Sequence, residues 1–246
     1  MQNMKKILVL VTIVGFSVAT LCNCGGNSSE KITVTGADGK EYPSYQAACR
    51  ELDFDAAHNY LDLLYNKYSK AIGKDPSAWD GSSEEIDLRN VFFPALEYIY
   101  THEIVYISSL EDYDLSDNLL FLIREFPFVG QCPPEGLAHV GVGRLDGSAT
   151  GRNLIAYKNS VTSYNKICDA ALDVSIKKKN RQLATTILNL FKPNIEITRG
   201  SGVFIADVQV KGVDVTEEYV YVTFDNSAVN NAIEKMENAE KSGAFK

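Results

Sequence analysis

The chain is poor in the residues that enzymes most often use to bind metals and move protons. It has three histidines, five cysteines and one tryptophan in 246 residues. No cysteines stand in a CxxC pair, and no cysteine–histidine spacing matches a zinc site, so neither metal nor cofactor is expected. No GK[ST] closes a phosphate loop, and no GxSxG marks a serine nucleophile. Long apolar runs are also missing. The uncharged stretch 7–21 falls short of the roughly 20 residues a membrane-spanning helix needs. Basic residues are in deficit, with 24 Lys and Arg against 32 Asp and Glu and a net charge of −8. That balance argues against a nucleic-acid partner and against a basic face lying on anionic lipid.

What is present begins at the N-terminus. Lys5 and Lys6 precede the apolar run, and "ATLCNCGG" follows it. A short basic start, a short apolar core and a processing site mark a secretory signal. The cysteine site resembles a lipobox, the bacterial lipoprotein pattern of an aliphatic residue, two small residues and a cysteine. Cys22 follows bulky Leu21 directly, whereas Cys24 has Leu21 three positions upstream, with Asn23 where a smaller residue is usual. Cys24 is therefore the expected lipidated first residue, with 1–23 as the signal peptide. Acyl chains would then hold the protein on a membrane without spanning it, at the bacterial cell envelope and on the outer membrane. Removal of 1–23 takes away Lys5 and Lys6 but no acid, leaving a net charge of −10. Cys49, Cys132 and Cys168 remain, enough for at most one internal disulfide.

Residues 24–42 read as a Gly/Ser tether and a small hairpin turning at Asp38-Gly39. Helical periodicity occupies 43–194. Ser44 is placed to cap "YQAACREL", and Asp55 to cap a run with Ala57, Tyr60, Leu61, Leu64, Tyr68 and Ala71 on one face. A loop at 73–83 precedes a helical region over 84–110, with Leu88, Phe92, Leu96, Ile99, Tyr106 and Leu110 on a stripe; Pro94 predicts a kink or a fresh start. "LSDNLLFLIREF" makes a shorter helix. The Gly- and Pro-rich segment 128–152 reads as a long loop without a strand, of the kind that is functional or mobile. A second long helix carries Tyr157, Val161, Tyr164, Cys168, Ala171 and Ser175, and "RQLATTILNLF" is its short partner. Two long–short hairpins in succession suggest an α-repeat or an irregular bundle. In 195–246, "VFIADVQV" and "YVYVTF" read as strands and "ITRGSG" as a turn, forming a small antiparallel β patch. A final helix, capped by Asn226 or Ser227, is expected to pack on it. The fold class is thus mainly α, stacked helical hairpins with a small C-terminal β patch and a last helix.

"SYQAACRELDFDAAHNYLDLL" resembles a tetratricopeptide-type helical hairpin. With the lipoprotein-like start, the "TGADGKEY" lead-in and the later hairpins, the chain resembles the uncharacterised cell-envelope lipoproteins of gut Bacteroidota. The resemblance implies an anchored helical module and carries no established activity.

Candidate chemistry is sparse. His102-Glu103 opens like an HExxH zinc helix, but Tyr106 stands where the second histidine belongs. The two then read as a buried polar pair bonded to tyrosines or backbone. "GVGRLDGSATG" offers closely spaced glycines to an anion, with Arg144 and Arg152 to neutralise it and His139 and Asp146 available for acid–base work. Trp79, in a loop, suits either a hydrophobic seam or stacking on a sugar. No catalytic residue is assigned. The expected role is a non-enzymatic, lipid-anchored protein that binds or scaffolds a protein or peptide partner. A glycan-binding accessory lipoprotein is the alternative, and an enzyme working at 128–152 the third reading.

Overall fold

The computed structural model describes residues 32–72, 83–110, 114–127, 132, 133, 135, 136, 138–140, 149–203 and 216–246. Chain contacts make Ile32–Lys246 one compact unit. The expectations for Cys24 and Trp79 lie outside the described residues, as do those for Arg144 and Asp146.

The unit opens with an antiparallel hairpin, β1 (Val34–Thr35) and β2 (Glu41–Tyr42), in the register Val34↔Tyr42. Gly39 takes a left-handed φ of 84° at the turn expected for Asp38-Gly39. Gly36 is needed for a different reason, since a β-carbon there would run into the Asp53 carboxylate. The hairpin is part of the core: Val34 and Tyr42 are buried among helical side chains, and Asn59 Nδ2 donates to the Thr35 carbonyl at 2.8 Å.

Helix α1 (Tyr45–Arg50) starts where Ser44 Oγ accepts from the Ala47 amide at 3.2 Å, as the sequence predicts. Helix α2 (Phe54–Ile72) is capped two residues earlier than predicted. Asp53 Oδ1 accepts from the Ala56 amide at 3.0 Å, and Asp55 sits in the first turn. The reason is Leu52, whose φ of 62° reverses the chain after α1 and leaves Asp53 at the cap position.

Helix α3 (Ser83–Ser109) runs through Pro94 with no fresh start. Pro94 is exposed, on the side where water can bond the carbonyl that the ring leaves without a donor. Phe93, Ala95, Leu96, Ile99, Ile104 and Ile107 are buried, a face broader than the expected stripe. The width follows from the neighbours, because α3 touches α1, α2, α4 (Leu115–Arg124) and α5 (Ala149–Lys177). Asp114 caps α4, and Asn180 caps α6 (Arg181–Leu188) through the Leu183 amide at 3.0 Å. The two long–short successions α3–α4 and α5–α6 are therefore present. The long helices pack along each other, tied where Ser163 Oγ and Lys166 Nζ donate to the Glu97 carboxylate at 3.0 and 2.8 Å.

A three-stranded antiparallel sheet completes the fold, in the order β3 (Ala138–Val140), β5 (Thr216–Asp225), β4 (Asn194–Val203). Two expectations are corrected here. "ITRGSG" is strand, not turn, because Ile195 and Ile197 alternate toward α5 and the segment pairs with β5 from Asn194↔Asp225 to Val203↔Thr216. Segment 128–152 is not strandless, because Ala138–Val140 adds to the other edge of β5 and α5 already begins at Ala149. Of "VFIADVQV", only Val203 falls within the described residues.

Ile195, Val220 and Val222 bury against Leu154 in a small cluster of their own. The last helix, α7 (Ser227–Lys241), does not take the sheet as its seat. Its buried Ala232 and Met236 belong to the main helical core, and it packs on α5 and α6. Lys235 bonds Asp169 and, at 2.8 Å, Asp173, while Arg181 pairs with Glu240. Helix α5 is thus the spine, with the sheet on its first half and α7 on its second.

Candidate functional site

The described residues form an open pocket of about 260 Å³ where α5 meets the ends of β4 and β5. It is lined by Cys132, Glu135, Tyr157, Pro193, Phe224 and Asn226. Each wall has a local cause. Asn165 of α5 grips the approach to Pro193 from both sides, donating to the Lys192 carbonyl at 2.8 Å and accepting from its amide at 3.0 Å. Buried Asn194 then donates to Thr162 Oγ1 at 2.8 Å and to the Lys158 carbonyl. These bonds satisfy an amide that would otherwise be costly to bury. The Gly136 amide donates to the Val222 carbonyl, which holds neighbouring Glu135 beside β5.

The polar groups of the pocket differ in state. Burial, with the Cys132 thiol as hydrogen-bond partner, pushes the Tyr157 phenol above its ordinary pKa, so it is neutral near pH 7. Asn226 holds the cap position of α7 yet makes no capping bond with its side chain. That end is served by Asp225, which accepts from the Ser227 hydroxyl and, at 2.9 Å, from its amide. The same bonds hold the Asp225 carboxyl below the usual carboxylate range. Glu135 is exposed, with no ion-pair partner among the described residues.

A second cluster joins α2 to α3. His58 Nε2 lies 2.7 Å from Glu103 Oε2, with Tyr100 against the imidazole at 5.6 Å between ring centroids. Desolvation opposes the imidazolium, but the Glu103 bond and charge, with Asp62 and Asp55, carry the His58 pKa above its ordinary value. Burial and the nearby carboxylates push Tyr100 up to about 12. The expected His102–Glu103 pair is therefore corrected: Glu103 turns to His58. His102 is exposed, stacks on Tyr98 at 3.9 Å and donates from Nδ1 to the Tyr98 carbonyl at 2.7 Å. Successive residues of a helix point about 100° apart, so both could not face the same neighbour.

A third feature is the outer side of α3. Val91, Pro94, His102, Val105 and Ser109 are exposed there, with Val91 at 43% and Val105 at 60%. Beside them Tyr98 joins Tyr45 and Tyr60 in a run of rings 5.7 and 4.7 Å apart.

Of the residues singled out in the sequence, His139 lies in β3 opposite Val220, and Arg152 lies in the first turn of α5. Convergence of His139 with Asp146 falls outside the described residues. Cys49, Cys132 and Cys168 are free thiols. Burial raises Cys49 to about 11 and Cys168 to about 12, as suits small hydrophobic core residues. Among the described residues no three His, Cys, Asp or Glu side chains are grouped to hold a metal ion. No described helix is long and apolar enough to cross a membrane. The pocket itself was not legible in the sequence. Its only signal was the Gly/Pro-rich segment that supplies Cys132 and Glu135. No family model matches the chain, nor does any curated protein or solved structure.

Proposed function

We propose that the protein is a lipid-anchored, non-enzymatic component of a bacterial cell envelope that holds a protein or peptide partner on the outer side of α3. The anchor reading rests on Cys24 and the basic and apolar residues before it. The binding reading rests on one observation, the exposed apolar side chains Val91 and Val105, four turns apart on one stripe with Pro94 between them. The stripe is about 20 Å long at 1.5 Å per residue. Apolar surface of this kind gains most from being covered by a partner. The net charge of −8 favours a partner with basic residues around its apolar contact.

The test places a photoreactive side chain at position 105 of the full chain in its native cell, with position 177 on α5, exposed at the far end of that helix, as control. One discrete cross-linked protein from 105 and none from 177 is expected; equal or absent cross-linking at both removes α3 as the binding face. A Cys24→Ala version is expected to leave the membrane, and its retention would remove the anchor. A glycan is the second reading, favoured by the half-exposed rings of Tyr45, Tyr60 and Tyr98. It takes the lead if polysaccharide alone co-purifies and a Tyr98→Ala version loses it.

A further inference from the structure

We propose that the pocket between α5 and the end of β5 binds a small organic ammonium ion. The site is separate from the α3 face and does not depend on the role given to it. Tyr157 and Phe224 border the pocket with aromatic rings, whose negative faces attract cations. Glu135 brings a carboxylate without an ion-pair partner among the described residues, and Asn226 an amide that no helix cap consumes. No described lining residue is basic.

The neighbouring lysines are occupied elsewhere. Lys158, next to Tyr157, acts on the Asp225 carboxylate, and Lys192, next to Pro193, lies over the Tyr164 ring at 5.9 Å. The start of α7 would otherwise present a partial positive charge to the pocket, and the Asp225 carboxylate offsets it. An anion would meet Glu135 with no basic side chain among the described lining residues to neutralise it. At about 260 Å³ the pocket lies below the roughly 300–1,000 Å³ of sites for drug-sized ligands, which suits a single compact ion. The net charge of −8 also draws cations toward the protein.

The experiment is calorimetric titration of the full chain with choline and, separately, with 3,3-dimethyl-1-butanol, its uncharged carbon isostere. Sodium chloride holds the ionic strength constant. Saturable choline binding is expected, with the isostere at least about tenfold weaker, the loss that follows from removing one charged partner. Glu135→Gln should weaken choline by about tenfold, and Phe224→Leu by several-fold, with the thermal midpoint recorded for each variant. Glu135 is exposed, so its substitution leaves the fold intact. Absence of choline binding overturns the proposal. So does equal binding of the isostere, or undiminished binding by Glu135→Gln.

Discussion

Helices α3 and α5 are near equals in length and in the company they keep. Each is long, each is followed by a short capped helix, and each buries isoleucine and leucine against the other. They differ on the side that faces water. Among the side chains described, the exposed residues of α5 are Lys166, Asp173 and Lys177, whereas those of α3 are Val91, Pro94, His102, Val105 and Ser109. A helix needs one apolar face to join a core, and α5 has what it needs and no more. Val91 and Val105 on the far side of α3 leave much of their surface to water, so that side is where a function other than stability is to be sought.

The largest effects should fall where the two helices are alike. Leu172→Ala in α5 and Ile99→Ala in α3 each remove a side chain with no exposed surface. Each should cost about 2–5 kcal/mol, the range for emptying a packed core site. Denaturant unfolding measures both. A cost under about 1 kcal/mol for Ile99→Ala would mean that α3 is not the core partner of α5.

The next effect concerns the half of α5 that has no counterpart in α3. Asn194 is buried and ties β4 to α5 through Thr162 and Lys158. Asn194→Ala removes these bonds and leaves their partners unpaired, with an expected loss of about 1–3 kcal/mol. Hydrogen exchange should show it first in β4 and β5, with α3 unchanged. Uniform loss of protection would instead show that sheet and helices unfold as one.

A pH-dependent effect marks the tie between α3 and α2. The folded pKa of His58 lies above its ordinary value, so its pairing with Glu103 contributes fully below that ordinary value. The contribution falls away as pH rises through the folded value, where the imidazole loses its charge. His58→Gln should therefore cost more stability at about pH 5.5 than at about pH 8. A penalty that is the same or larger at the higher pH would show that the pair acts as a neutral hydrogen bond.

The helical half of the molecule was legible because its signals are local and periodic. Val161, Tyr164, Cys168, Ala171 and Ser175 recur at three and four and are all buried. Apart from one local turn, what the sequence hid depended on partners far along the chain. Period alone placed the helix cap at Asp55, but Leu52 turns the chain early and gives the role to Asp53. Two glycines made "ITRGSG" read as a turn, while ten residues of pairing with β5 keep it extended. Glu103 found His58, forty-five positions away, rather than its neighbour His102. The pocket joins Cys132 to Asn226 across a gulf about twice as wide. The last three pairings leave no mark within one turn of helix or one strand, which is the range over which sequence patterns speak.

The smallest expected effect on stability is also the one that separates α3 from α5 most sharply. Val105 is 60% exposed, and Val105→Glu adds a charge where water already reaches. Glutamate is also the better helix former of the two. Stability should therefore move by no more than about 0.5 kcal/mol, and by no more than about 1 kcal/mol for Lys177→Glu at an exposed site in the last turn of α5, where a carboxylate opposes the helix dipole. Partner retention should then divide the two: a charge at 105 places an unpaired carboxylate inside an apolar contact, while one at 177 falls outside it. If both variants keep the partner at wild-type strength, the apolar side of α3 is surface like any other, and the difference between the helices carries no function. If only Val105→Glu loses it, an exposed valine that does nothing for folding has its explanation in binding.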